Sequence, residues 1–145
     1  MLALCAAFVM SAAAAWAVTE AELVSLCRSG NIQELKAVIA GDKHFAQRRF
    51  HDMDTPLILA AKRARNAEAL QVILEAGVDV NARNEDGETA LMEAMDEPVS
   101  PACVKALLQA GANPDLADED GETALMKALD ENAPAEVITA LLDAG

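Results

Sequence analysis

The sequence predicts an all-α solenoid of about four helix-turn-helix units joined by β-hairpin-like loops, and three observations carry that prediction. Thr55, Thr89 and Thr123 stand 34 residues apart, and so do Gly77, Gly111 and Gly145. Between these markers run "TPLILAAKRARNAEALQVILEAG", "TALMEAMDEPVSPACVKALLQAG" and "TALMKALDENAPAEVITALLDAG", each a short apolar-periodic helix, a polar break and a second helix ending at Gly. The 145 residues, enough for one domain, are 53% hydrophobic, much of it Ala, with 3% aromatics and no Tyr. That suits close-packed helices, because strands favour β-branched and aromatic side chains.

The chain opens on "MLALCAAFVMSAAAAWA", residues 1–17, which carry no charge. The stretch is short of the roughly 20 residues of a membrane span and ends in Ala15-Trp16-Ala17, the small-x-small pattern of a cleavage site. It is expected to be a signal peptide, giving an exported chain, periplasmic or secreted. The alternatives are an uncleaved N-terminal membrane anchor or a buried helix. No Lys or Arg precedes the apolar run, so the true start lies upstream or the signal is atypical. Cys5 has no hydrophobic segment ahead of it and does not read as a lipoprotein site.

The domain proper, residues 18–145, divides into units at approximately 19–41, 50–77, 84–111 and 118–145. The first is degenerate. Thr19 and Glu22 form a capping box, Leu23, Leu26 and Cys27 share one helix face, and Gly30-Asn31 makes the break. Ile32, Leu35, Val38 and Ile39 form the apolar face of its second helix, closed by Gly41. This unit reads as an N-terminal cap. Its connector, "DKHFAQRRFHDMD", lacks the Asp-Gly of the later loops. In the other units Thr caps the first helix, Gly ends the second in a left-handed conformation, and Ser100-Pro101 marks a further helix start. The loops "VDVNARNEDGET" and "ANPDLADEDGET" carry Asp-Gly at a tight turn. Residues 84–97, "NEDGETALMEAMDE", return at 118–131 as "DEDGETALMKALDE", with three positions changed.

Helix, turn, helix and hairpin loop in this order resemble the ankyrin repeat family. Thr55-Pro56-Leu57 with Ala60-Ala61, the "LLQAGANPD" segment and the Asp-Gly-x-Thr turns carry the resemblance over most of Asp52 to Gly145. There are three departures. The period is 34 residues, against about 33 in the family. The family's His is replaced by Ile58, Met92 and Met126. No polar capping unit follows Val137, Ile138, Leu141 and Leu142, so that end is expected to continue or to be covered by a partner or second copy.

The resemblance implies a non-enzymatic protein-binding module whose partners contact the hairpin tips and the exposed side of each first helix. Carried over by position, these residues are Glu85, Asp86, Glu88, Asp96 and Glu97 in the third unit. In the fourth they are Glu119, Asp120, Glu122, Asp130 and Glu131. In the second unit Lys62 and Arg63 take the places of Asp96 and Glu97. A concave face that begins basic and turns acidic is expected.

Charge supports the acidic part of that expectation. The net charge is −13, and residues 84–145 hold fifteen acids against two bases, Lys105 and Lys127. Residues 18–83 are balanced, nine against nine. Phosphate repulsion excludes nucleic acid, and anionic membrane is disfavoured likewise. A protein partner with a basic surface is the expectation. The alternative is a scaffold fragment of a longer ankyrin protein, docking through its C-terminal repeat onto another copy or domain. The chain is then monomeric or associates end to end.

No catalytic, cofactor or metal site is predicted. His44 and His51 lie in the irregular connector without metal-ligand spacing. The EF-hand register ahead of Gly121 gives Leu116, Asp118 and Asp120, and ahead of Gly87 it gives Ala82, Asn84 and Asp86. Both lack the first ligand. Cys27 and Cys103 fall two units apart, too far for a disulfide, and read as small buried apolar residues.

Overall fold

The computed structural model describes residues 18–96 and 98–145. The predicted signal peptide and Glu97 lie outside the described residues. Helices α1 (Glu20–Ser29) and α2 (Ile32–Gly41) form the first pair, α3 (Pro56–Arg63) and α4 (Ala67–Glu75) the second. α5 (Ala90–Glu93) with α6 (Pro101–Gln109), and α7 (Ala124–Asp130) with α8 (Ala135–Ala144), complete the four units. Each first helix packs on the next first helix and each second helix on the next second helix, giving two layers with the core between them. Leu23, Leu35, Leu57, Leu70, Ile73, Leu91, Met95 and Leu107 are fully enclosed there.

Helix starts follow from the polar residue ahead of each. Thr19, Thr55, Thr89 and Thr123 accept the N–H three residues on, and Asn31, Asn66 and Ser100 do the same for α2, α4 and α6. Each such cap stabilises its helix by about 1 kcal/mol. Gly77 and Gly111 take positive φ beyond α4 and α6, as expected. Gly41 differs: it is the last residue of α2, and Asp42 caps the helix in an extended conformation. Cys27 and Cys103 are free and buried, and burial pushes the Cys27 thiol up to about 11.

α5 is four residues long, shorter than the equivalent α3 and α7. Its end tightens into a bond from Met95 N to Met92 O (2.9 Å). Arg65 of the second unit then holds the following carbonyls of Asp96 (2.8 Å) and Pro98 (2.7 Å). This cross-unit tether holds the segment just past the helix end, and a sequence pattern does not display it.

The loops form three fingers at equivalent positions. Asn84 N donates to Glu88 O (3.0 Å) and Asp118 N to Glu122 O (3.0 Å). The connector that lacks Asp-Gly closes over the same span, with Phe50 N on Asp54 O (2.9 Å), by a different backbone path through the 3-10 turn His51–Met53. Asp52 and Met53 there adopt positive φ, 58° and 60°, where the later fingers place Asp-Gly. Successive tips are stitched together, Glu85 N to Asp52 O (3.0 Å) and Glu119 N to Asp86 O (3.1 Å). Arg49 reaches the Arg83 carbonyl and Arg83 the Ala117 carbonyl, each at 2.9 Å. Bridging between extended residues is limited, among the described residues, to Ala117 and Thr123.

A candidate protein-interaction surface

Lys127 lies midway along α7. Its neighbours on α7, Ala124 and Ala128, are buried against the core, and the ammonium turns toward the preceding finger. It meets Glu88 of the third unit at 2.6 Å, and Asp118 (3.3 Å) and Glu122 (3.9 Å) of its own. Burial opposes its charge, but Glu88 and Asp118 together raise its pKa. Burial also opposes ionisation of Glu88 and of Asp118. Lys127 outweighs it at Glu88, and the Glu122 N–H together with Lys127 outweighs it at Asp118, so both carboxyls sit below their ordinary range.

One unit earlier the same place belongs to Glu93, which is 2% exposed. Burial pushes its carboxyl up, to about 7, and the Glu88 charge adds to that, while Lys62 at 3.0 Å works against it. Asn84 donates to Glu93 Oε1 (3.3 Å) and to Asp54 Oδ1 (3.2 Å), joining two buried carboxylates through a neutral amide.

These contacts explain two of the three differences between the copied segments. Where the third unit has Asn84 and Glu93, the fourth has Asp118 and Lys127. An acid at the centre goes with a neutral amide beside it, and a base at the centre with a carboxylate. The paired exchange was visible in the sequence. Its meaning was not, because Asn84 and Glu93 are nine positions apart and meet only through the finger.

The predicted contact residues therefore separate into two groups. Glu88 and Lys62 are half-buried and engaged in inter-unit ion pairs. Arg63 is exposed and lies 3.5 Å from Glu20. Glu85, Asp86, Asp96, Glu119, Asp120, Asp130 and Glu131 are exposed, and none pairs with a cation among the described residues; Glu122 is half-exposed. Glu97 lies outside the described residues. The basic start and the acidic run are thus joined by internal pairs, Lys62 to Glu93 and Lys127 to Glu88.

His44 and His51 are both exposed, and His51 contacts Asp52 at 2.5 Å, which raises its pKa. An open groove lined by Glu20, Val24, Ser25, Arg28 and Arg63 runs beside α1. Among the described residues no group of three or more His, Cys, Asp and Glu side chains is arranged to hold a metal ion. No described helix is long and apolar enough to cross a membrane.

A family model described as ankyrin repeats, in three copies, matches residues 23–118 and again 57–145. The chain belongs to the ankyrin repeat family. Ankyrin repeats bind proteins and are generally non-enzymatic, so this is a protein-interaction module. Three relatives share a 73-residue stretch covering 50% of this ankyrin chain and 14% of each relative. The probable E3 ubiquitin-protein ligase XBOS32 of Oryza sativa subsp. japonica and the E3 ubiquitin-protein ligase XBAT32 of Arabidopsis thaliana are each 38% identical. The E3 ubiquitin-protein ligase XBAT33 of Arabidopsis thaliana is 40% identical.

Proposed function

We propose that this ankyrin chain binds a protein partner with a basic segment through the free carboxylates of its third and fourth units, without chemistry of its own. The observation that carries this reading is the residue of charge left after the internal pairs are formed. Glu88 is neutralised by Lys127, whereas Asp96, Glu119, Asp120, Asp130 and Glu131 remain exposed with no cation among the described residues. Clustered charge of one sign steers an opposite partner and makes association salt-sensitive. The apolar, uncharged leader supports a site of action outside the cytoplasm.

The test is a triple variant, Asp96→Lys, Glu119→Lys and Asp130→Lys, which leaves the Lys127 cluster untouched. Proteins captured from an exported fraction by the parent chain should be released by salt and absent from the variant, with the helical circular dichroism unchanged. Capture of the same proteins by the variant would refute the proposal.

A further inference from the structure

We propose that Glu93 and Glu88 share one proton, and that its release unlatches the second finger, residues 84–88, from the neighbouring units. Glu93 sits on α5, whose Ala90, Leu91 and Met92 are buried, so its place is fixed by the core. The side chain is itself enclosed. The Lys62 ammonium (3.0 Å) and the Asn84 amide (3.3 Å) both reach its Oε1. The group also stands in hydrogen-bond contact with the Glu88 carboxyl. Two carboxyls so placed attract only when one of them holds a proton, since like charges in contact do not both ionise. Glu88 takes the Lys127 ammonium at 2.6 Å, so the proton stays on Glu93.

The surroundings hold too few bases for every carboxyl to ionise. The first finger contributes buried Asp54, joined to Glu93 through Asn84, and the second finger Glu88. The third finger adds Asp118, with Glu122 at the rim. Against them stand Lys62 of α3 and Lys127 of α7, and Lys127 is shared between Glu88 and Asp118. α6, also packed on α5, buries the uncharged Cys103, Val104 and Leu107. His51 lies further out, on the first finger within the field of Glu85. Burial accordingly pushes the Glu93 carboxyl up, to about 7, with the Glu88 charge adding to that and Lys62 working against it.

The residues that touch Glu93 are the ones that close the finger. Asn84 N donates to Glu88 O (3.0 Å) and Glu88 N to Asn84 Oδ1 (2.9 Å). Ionised Glu93 repels Glu88, and the finger yields because α5 is held by the core. The stitches from Glu85 N to Asp52 O and from Glu119 N to Asp86 O open with it. The latch is closed at mildly acid pH and opens as pH rises through 7, because the closed state binds the proton more tightly. The third finger supplies the contrast: Lys127 stands in the place of Glu93 and pairs with Asp118 without a proton. Operation of the latch does not depend on what the acidic surface binds.

Residue-resolved hydrogen exchange of the full chain tests the latch, each rate being divided by the intrinsic rate at the same pH. Between about pH 5.5 and about pH 8, protection of the Asn84, Glu88 and Glu119 amides should fall roughly tenfold. Asp118 and Glu122, the matching amides of the third finger, should hold within about twofold. Low urea should leave the fall unchanged, because it speeds only openings that expose much surface. In Glu93→Gln the second finger should keep its acid-form protection at both pH values, with His51 still present. The Glu93 carboxyl carbon resonance of the parent gives a measure that needs no variant. It should titrate well above the ordinary carboxylate range, in step with the Glu88 amide. A Glu93 midpoint at the ordinary value, a second finger indifferent to pH, or an equal fall in Glu93→Gln overturns the proposal. So does an equal fall at the third finger, or one that low urea steepens, since either marks unfolding of the whole chain.

Discussion

Glu93 and Lys127 occupy the same place in successive units, 34 residues apart, and carry opposite charges at the centre of their clusters. Around Lys127 stand Glu88, Asp118 and Glu122; around Glu93 stand Glu88, Asn84 and Lys62. Glu88 belongs to both. The two clusters are one chain of charged groups through three units, with a base at each end, Lys62 and Lys127, and two neighbouring carboxyls, Glu93 and Glu88, between them.

Removing the last cation should loosen the stack. Lys127→Met leaves Glu88 and Asp118 near one another without their shared partner. Breaking a largely buried pair from one side costs about 3 kcal/mol, somewhat less here because Lys127 keeps some water. Lys105→Met is the control, since Lys105 and Glu136 are both half-exposed at 3.6 Å. Such a surface pair contributes about 0.5 kcal/mol at most. Urea unfolding of both variants measures the difference.

Glu93 sets a pH dependence of uncommon sign. Its folded pKa, near 7, lies above the ordinary 4.5, so the folded state holds the proton more tightly than the unfolded one. Its contribution is present below about pH 4.5 and is lost as pH rises through 7, following the excess of bound protons in the folded state. Glu88 and Asp118 are held below their ordinary values of 4.5 and 3.8 and act oppositely, losing their contribution as pH falls from those values through the lowered folded ones. The parent should therefore be more stable at pH 5.5 than at pH 7.5. Glu93→Gln should reduce that difference in thermal unfolding, leaving the smaller same-sign part of the exposed His51, and an unchanged difference would assign it to another group.

The two fingertip glycines should respond unequally. Gly87 (φ 78°) is enclosed, and a Cβ there would lie 3.1 Å from the Glu119 amide nitrogen. Gly121 has a similar φ, 84°, but nothing within 4 Å of that point. Gly121→Ala should cost about 1 kcal/mol for the left-handed backbone. Gly87→Ala should cost about twice that, since backbone must shift. Denaturant midpoints of the two variants give the comparison.

Met53 takes the same left-handed turn without being glycine, and its side chain is 52% exposed. Little packing is lost on its removal, so Met53→Gly should stabilise by about 0.5–1 kcal/mol through relief of that conformation. The thermal midpoint should rise. A fall would show that the exposed side chain contributes more than the backbone conformation costs.

The repeat period, the Thr caps, the left-handed glycines after α4 and α6 and the layer of Leu and Met were legible in the sequence, because each depends on neighbours within a few positions. The sequence also showed the acidic excess and the two copied segments. Stacking decided the rest. It drew Phe50–Asp54 into a finger without an Asp-Gly, tethered the segment after α5 to Arg65, and spent Glu88 and Lys62 on inter-unit pairs while leaving Asp96 and Asp130 free. Met92 and Met126 are the same residue in the same motif, yet one is enclosed and the other open. Burial, and with it the effective charge of each carboxylate, depends on what the next unit places alongside, and local sequence does not carry that information.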